Sequence, residues 1–264
     1  MTKNKSVSAV KAVDLAIGYN GKALFPAFSF ELRPGTFNVV IGENGSGKST
    51  LLHTIGGNLK PVAGRVEAGG VDVNRASARE IARTISLVYT DRLVSGGLTV
   101  REVVEMGRHP HTGFLGRLGA EDRVIVESAM NSVGIMHKSD SFLADVSDGE
   151  RQKTMIARAL AQETPVLMLD EPTNFLDAAS RMEIMQLIRQ LVDEKHLTAI
   201  VSTHDTATAL VHADSVLTIL PDDARAVSVD ACGTPEAFDR LDKVFASRGI
   251  GFDVSRNDFV MRKH

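Results

Sequence analysis

The sequence GENGSGKS, residues 42–49, matches the pattern G-x-x-x-x-G-K-[ST] at every defined position. A short apolar segment, residues 37–41, precedes it, and a helix is predicted from Ser49 to about Ile55. In this strand–loop–helix order, the glycines let the backbone turn its N–H groups inward, and the helix start adds positive potential. The stretch therefore predicts a loop that binds nucleotide phosphates. A glycine-rich turn that carries Lys-Ser by chance would not need the flanking strand and helix.

Individual roles in this loop follow from phosphate chemistry. Lys48 is expected to reach the β- and γ-phosphates and to assist catalysis, and Ser49 is expected to bind Mg²⁺. The nucleotide-binding residues predicted in this loop are Gly42, Asn44, Gly45, Ser46, Gly47, Lys48, Ser49 and Thr50.

A second apolar segment, residues 166–169, ends in two carboxylates, Asp170 and Glu171. In phosphate-loop folds such a strand is expected to lie beside the loop strand, so that both acids emerge near the γ-phosphate. Asp170 would then orient Mg²⁺ or its waters, and Glu171 would polarise the attacking water. The alternative is an ordinary solvated Asp-Glu pair at a strand end.

The sequence SDGERQ, residues 147–152, is typical of a helix start. Ser147 as N-cap and Glu150 three positions later form a capping box. A capped helix start that carries a bare glycine, Gly149, also presents free N–H groups to an anion. The segment is thus a helix start and a second candidate for phosphate binding.

These segments together resemble the nucleotide-binding subunit of ABC transporters. The resemblance rests on residues 42–49, 147–152, 170–171 and 174–177 and on His204, in the family's order over nearly the whole chain. It implies ATP and Mg²⁺ as ligands and a homodimer that sandwiches ATP. Ser147 and Gly149, with Glu150 beside them, would contact the γ-phosphate of ATP bound to the partner copy.

The same resemblance assigns three further residues. Asp177 would contact the partner's phosphate loop. His204, at the end of the segment 197–202, would sense the γ-phosphate and is one of the three predicted catalytic residues, with Glu171 and Lys48. Tyr19 would stack on adenine, although a lone tyrosine near a turn also serves structural roles. The chain departs from the family at Thr90, where a glutamine that contacts Mg²⁺ is usual. Either the threonine hydroxyl binds a Mg²⁺-linked water with a shorter reach, or Asp91 substitutes for the glutamine.

Hydrophobic patterning predicts an α/β fold. Continuous apolar runs at residues 84–88, 197–202 and 215–220 indicate further strands buried on both faces of a mostly parallel sheet. Residues 7–17, 24–32 and 65–73 indicate an N-terminal antiparallel β layer. Residues 181–194 predict a helix whose apolar face is formed by Met182, Met185, Ile188 and Leu191 or Val192. The expected organisation is one P-loop NTPase domain of the ABC ATPase type, residues 7–250, with a helical subdomain inserted at about 92–162 and a C-terminal tail at 251–264.

The amino-acid composition limits the classes of partner and the cellular compartment that we expect for this chain. A net charge of -3 gives no reason to expect nucleic acid. The single cysteine, Cys232, fits a reducing compartment, and no apolar run is long enough for a membrane helix. We therefore expect a cytoplasmic protein. The resemblance to ABC transporters implies that integral membrane permease subunits hold it at the inner face of the plasma membrane.

Residues 98–104 and 107–111 resemble the ATPases of importers for iron–siderophore complexes, haem and cobalamin. In that family the groove for the permease lies here, and a substrate-binding protein would be an indirect partner; a polar loop without a partner is the alternative for residues 108–111. Exporter subunits and soluble, non-transport ABC ATPases also carry these motifs. Chromosome-type ATPases need a coiled coil between the motifs, and ribosome-type ATPases need two cassettes, so neither fits the spacing. A kinase or GTPase would not need residues 147–152.

Overall fold

A six-stranded, mostly parallel sheet forms the centre of the protein in the computed structural model, which describes residues 8–89, 97–113, 116–223 and 225–262. The strands are β1 (Val10–Ala16), β2 (Gly18–Tyr19), β3 (Lys22–Ala23), β4 (Phe28–Leu32), β5 (Phe37–Gly42), β6 (Ala63–Ala68), β7 (Val71–Asp72), β8 (Ile85–Val88), β9 (Val166–Asp170), β10 (Thr198–Ser202), β11 (Ser215–Ile219), β12 (Val227–Ala231), β13 (Ile250–Asp253) and β14 (Asp258–Met261). The helices are α1 (Lys48–Ile55), α2 (Ala78–Ala82), α3 (Val100–Glu105), α4 (Ala120–Ser132), α5 (Asp148–Ala161), α6 (Ala178–Lys195), α7 (Thr206–His212) and α8 (Pro235–Val244).

The central sheet has the order β12-β11-β5-β10-β9-β8, with only β12 antiparallel to its neighbour. A separate antiparallel sheet, β4-β1-β6-β7, forms the N-terminal layer. Helices α3, α4 and α5 contact one another beyond β8. This arrangement confirms the predicted α/β P-loop fold with an N-terminal antiparallel layer and a helical insertion.

Strand β5 joins the two hydrophobic cores. Alternate side chains of a strand point to opposite faces. Phe37, Val39 and Ile41 therefore pack into the core on the side of the helical subdomain. Val40 packs on the other side, with α1 and the antiparallel layer. The strand that carries the phosphate-binding loop is thus held by hydrophobic packing on both of its faces.

The predicted strand order is wrong in one respect. We expected the acidic strand to lie beside the loop strand, but β10 pairs with both β5 and β9 and separates them. Pairing order depends on the crossovers that connect strands, and hydrophobic runs do not encode it. The consequence is that β10, and not the loop strand, supplies the polar neighbour of Asp170.

The predicted apolar face of α6 is wrong at its first residue. Met185, Ile188, Leu191 and Val192 are buried, but Met182 is 62% exposed. The helix begins at Ala178, so Met182 lies in its second turn, on the side away from the core. Helical periodicity therefore correctly identified the buried residues from Met185 onward, but it wrongly included Met182.

The C-terminal residues form structure that the sequence did not predict. Strands β13 and β14 pair as an antiparallel hairpin. Phe252 and Phe259 contact each other edge-on, with ring centroids 5.3 Å apart, and Phe252 stacks on Phe238 of α8. The proposed boundary between the domain and a tail at residue 251 stays a prediction. Among the described residues, no helix combines the length and apolar character needed to cross a bilayer.

Arg108 is a buried structural centre and not a surface residue for a partner. Its side chain is 5% exposed and forms ion pairs with Asp122 at 2.9 Å and Glu163 at 2.6 Å. It also donates to the carbonyl oxygen of Ala161 at 2.7 Å. These bonds tie the start of α4 to the end of α5. Residues 108–111 were expected either to contact the permease or to form a polar loop without a partner. Arg108 is buried and serves the fold, so it is not a free surface residue of either kind.

We expect Arg108→Met to lower the free energy of unfolding by about 2–4 kcal/mol, because Asp122 would keep its charge without its partner. Urea unfolding followed by circular dichroism measures this change. The matched control is Arg101→Met, which breaks a more exposed pair with Glu127 at 3.4 Å; we expect it to cost less than about 1 kcal/mol. Equal losses for the two variants would contradict the structural role of Arg108.

Candidate functional site

The phosphate-binding loop runs from the end of β5 to the start of α1, as predicted. A Cβ atom on Gly42 would lie 2.5 Å from Ser46 Oγ and 3.1 Å from the Ile219 carbonyl oxygen, so only glycine fits there. Gly47 caps α1 with a φ of 104°, which other residues adopt only under strain. Backbone geometry thus explains two of the glycines in the motif.

Lys48 is buried and lies across the inside of this loop. Its Nζ donates to the carbonyl oxygens of Gly42 at 2.9 Å and of Glu43 at 3.2 Å. Burial lowers the pKa of Lys48, and the charges of Glu171 and Asp170 oppose this shift. The ammonium group therefore lies within the electrostatic reach of both carboxylates of the acidic strand.

Ser46 lends further support to an anion site. Its hydroxyl oxygen is buried, and none of the described residues offers it a hydrogen bond. Such an unpaired buried hydroxyl is costly in the absence of a ligand. A polar group that enters the cradle would satisfy it, so the loop fits a bound phosphate.

Asp170 ends β9 and is almost fully buried. The hydroxyl of Ser202, the last residue of β10, donates to Asp170 Oδ1. The backbone N–H of Glu171 donates to Ser202 Oγ at 3.0 Å and to the Ser202 carbonyl oxygen at 3.0 Å. Ser202 therefore fixes both acids, although sequence patterns alone did not mark it as a functional residue; the parallel neighbour of an acidic strand is the signal that would have found it.

Glu171 and His204 meet at the carboxyl end of the central sheet. Glu171 Oε2 lies 2.6 Å from His204 Nδ1, and the two side chains are 19% and 55% exposed. The backbone of Glu171 has a φ of 52°, a left-handed conformation that is uncommon for a residue with a side chain. This conformation turns the carboxylate out of the strand direction and toward His204, so the two predicted catalytic residues lie in contact.

Tyr19 lies beside the phosphate-binding loop. It follows Gly18 in the small β2–β3 hairpin, and its hydroxyl lies 3.2 Å from Thr50 Oγ1. Its side chain is 53% exposed, so one face of the ring is open to solvent. The position suits a ring that covers a flat base next to the phosphates, as the resemblance implies; that role stays a prediction.

The start of α5 has the predicted capping box. Ser147 N and Oγ donate to Glu150 Oε2 at 2.9 and 3.0 Å, and Glu150 N donates back to Ser147 Oγ at 3.3 Å. The bond from the Ser147 backbone is the main cause that lowers the pKa of Glu150. Glu150 thus holds Ser147 in place, and its carboxylate is occupied within its own chain.

Asp177 caps α6 next to the start of α5. It accepts from Ser180 N at 2.9 Å and from Ser180 Oγ at 3.0 Å, and the backbone bond is the main cause that lowers its pKa. A Cβ atom on Gly149 would lie 3.6 Å from Ser180 Oγ. The segment that the resemblance assigns to the partner's ATP and the one that it assigns to the partner's phosphate loop are therefore adjacent. Ser180 is the residue between them that sequence analysis missed.

The residues fit a magnesium ion only together with a nucleotide. Asp170 is an oxygen ligand of the hard type that Mg²⁺ prefers, and Ser49 lies exposed in the first turn of α1. Among the described residues, no group of three or more His, Cys, Asp or Glu side chains suits a metal by itself. Phosphate oxygens and water would have to complete the shell. Thr90, the third predicted metal residue, lies outside the described residues.

Known proteins resemble this chain over most of its length. The ABC transporter family matches residues 25–174. An uncharacterized ABC transporter ATP-binding protein of Methanocaldococcus jannaschii is 41% identical over 80% of this chain and 72% of its own length. The ferric enterobactin transport ATP-binding protein FepC of Escherichia coli is 34% identical, over 81% and 79%. The iron(3+)-hydroxamate import ATP-binding protein FhuC of Bacillus subtilis is 35% identical, over 75% and 74%.

A solved structure resembles the whole arrangement. It is the dimeric, post-hydrolysis state of an ATP-binding cassette bound to ADP and Pi. The TM-score is 0.71 at 26% identity, over 85% of this chain and 99% of that chain.

Proposed function

This chain belongs to the ABC transporter family, and on that premise we propose that it is the ATP-hydrolysing subunit of an importer for an iron–siderophore complex, haem or cobalamin. One observation carries the ATPase assignment. The buried ammonium group of Lys48, the carboxylates of Asp170 and Glu171, and the imidazole of His204 converge at one end of the central sheet. This is the arrangement that phosphoryl transfer to water requires.

Each residue of this group has a proposed role. Lys48 and the N–H groups of the loop hold the phosphates, and Tyr19 covers the base. Glu171 polarises the attacking water, and His204, in contact with it, orients that carboxylate. Asp170 and Ser49 hold Mg²⁺, which supplies charge neutralisation on the phosphate oxygens when it is bound.

We propose that two copies close over two ATP molecules. The adjacent starts of α5 and α6 are the surface that would meet the partner's nucleotide. Phe175, between Glu171 and Asp177, supports this orientation, because its side chain is 67% exposed on a left-handed backbone with a φ of 67°. Exposed apolar groups and strained backbone concentrate at functional surfaces. Dimeric relatives of the same fold support the stoichiometry.

The cargo is inferred from the relatives. FepC and FhuC are named for ferric enterobactin transport and iron(3+)-hydroxamate import. A permease would have to span the membrane for this chain, and an external binding protein would deliver the cargo. The contact with the permease would hold the chain at the inner face of the membrane.

Uptake by living cells tests the proposal. In the organism that carries this chain, we expect Lys48→Ala to reduce uptake of one labelled cargo by about tenfold or more, because ATP would no longer be held. The cargoes to compare are ⁵⁵Fe-loaded siderophore, haem and ⁵⁷Co-cobalamin, and Lys195→Ala at the exposed end of α6 is the matched control. Unchanged uptake of all three, with a compound retained inside the mutant cells, would indicate an exporter and overturn the proposal.

A further inference from the structure

The C-terminal segment touches the phosphate-binding loop at Glu43. A short 3-10 helix, Ala246–Arg248, follows α8 and precedes the β13–β14 hairpin. Arg248 Nε lies 3.2 Å from Glu43 Oε1, and Ser247 Oγ donates to the same oxygen at 3.5 Å. Ser247 and Glu43 are 204 positions apart in sequence, so this contact exists only in the folded chain.

Glu43 is also the internal support of the loop. Its carbonyl oxygen accepts from Lys48 Nζ at 3.2 Å and from Ser46 N at 3.1 Å. The backbone of Glu43 therefore positions the phosphate lysine, and its side chain is held from outside the loop by Arg248 and Ser247.

The charge of Glu43 makes this contact matter for binding. A carboxylate at the second position of a phosphate cradle repels the triphosphate that the cradle holds. The cation of Arg248 lies against this carboxylate. Glu43 and Ser247 both line a cavity of about 430 Å³, together with loop residues Asn44–Ser46, the acidic residues Asp222 and Asp223, and Lys243.

We propose that Arg248, assisted by Ser247, is a positioning residue of the nucleotide site, which holds Glu43 and screens its charge so that the phosphate loop is set for binding. The C-terminal segment is then a working part of the site in the same chain. This inference rests on the proposed ATPase function, and it assigns to residues 247–248 a role in nucleotide affinity and none in the chemical step.

Calorimetric binding of magnesium-ADP tests the proposal. We expect Arg248→Ala to weaken binding by about three- to fivefold, the size of effect that an exposed ion pair provides, and Arg248→Lys to restore part of the loss. In the Glu43→Gln background there is no charge left to screen, so adding Arg248→Ala should change affinity by less than about twofold. A merely structural role would not produce this rescue.

Further variants distinguish a failure of this inference from a failure of the proposed function. Arg256→Ala is the matched surface variant, because Arg256 lies in the turn of the β13–β14 hairpin that follows Arg248, is 73% exposed and pairs only with Asp253 at 3.7 Å among the described residues; we expect wild-type affinity. Wild-type affinity of Arg248→Ala, or the same loss with and without Glu43→Gln, would overturn this inference alone. A wild-type chain that bound no magnesium-ADP, or bound it equally well after Lys48→Ala, would overturn the proposed function instead. If Arg248→Ala lowers the melting temperature, Arg248→Gln, which keeps a hydrogen-bond donor, replaces it in both backgrounds.

Discussion

The variant Glu171→Gln is expected to bind ATP but to hydrolyse it about a thousandfold more slowly than the wild type, because an amide cannot polarise the attacking water. In the proposed cycle, two copies close only when ATP is bound, and hydrolysis of that ATP separates them. A variant that binds ATP but does not hydrolyse it should therefore accumulate as the ATP-bound dimer. Phosphate release measures turnover, and size-exclusion chromatography with light scattering measures the dimer.

The control for this variant is Glu183→Gln. Glu183 is an exposed carboxylate on α6 that pairs with Lys153, so the same chemical change there should leave turnover unaltered. Wild-type turnover in Glu171→Gln would remove this residue from its catalytic role. Normal folding together with a loss of ATP binding would show that the carboxylate serves the nucleotide and not the water.

The variant Ser147→Arg is expected to bind ATP normally as a monomer, yet to form no ATP-dependent dimer and to lose turnover by about a hundredfold or more. An arginine at the exposed start of α5 would project into the surface that meets the partner's phosphate and would remove the N-cap. Loss of the cap by itself costs only about 1 kcal/mol of stability, so the binding site in the same chain should survive.

A matched control separates the cap from the interface. Ser77 caps α2 with the same capping box, in which Glu80 accepts from Ser77 N and Oγ. Ser77→Arg therefore removes an equivalent cap away from the proposed dimer surface, and we expect it to dimerise and hydrolyse ATP normally. Unchanged dimerisation of Ser147→Arg, or equal losses in both variants, would refute the contact with the partner's nucleotide.

Local patterns predicted the parts of the site that are continuous in sequence. The glycines of the phosphate loop, the capping box of Ser147 and Glu150, and the acids after β9 each depend on neighbours within a few residues, and all were found. Contact between Glu171 and His204 was not predicted as such, but each residue follows a strand of the same sheet. Parallel strands bring such ends together.

Features that depend on long-range pairing were missed or wrong. The insertion of β10 between β5 and β9 placed Ser202 beside Asp170, and no pattern in either strand encodes that neighbour. Strand β12 and the β13–β14 hairpin lack the continuous apolar runs of the buried parallel strands and were not recognised. The contact of Arg248 with Glu43 joins distant parts of the chain, and a lone surface arginine carries no local signal.

The left-handed backbone at Glu171 lowers the stability of the fold, whereas the carboxylate at this position serves the proposed catalysis. A side chain in this conformation costs about 1 kcal/mol or more relative to glycine, which adopts it freely. Selection for stability alone would favour glycine or asparagine here. Under the proposed function, selection for turnover is what keeps the glutamate. In a lineage in which this protein no longer needs to hydrolyse ATP, position 171 should be among the first to be substituted. The protein would then gain stability as it lost ATPase activity.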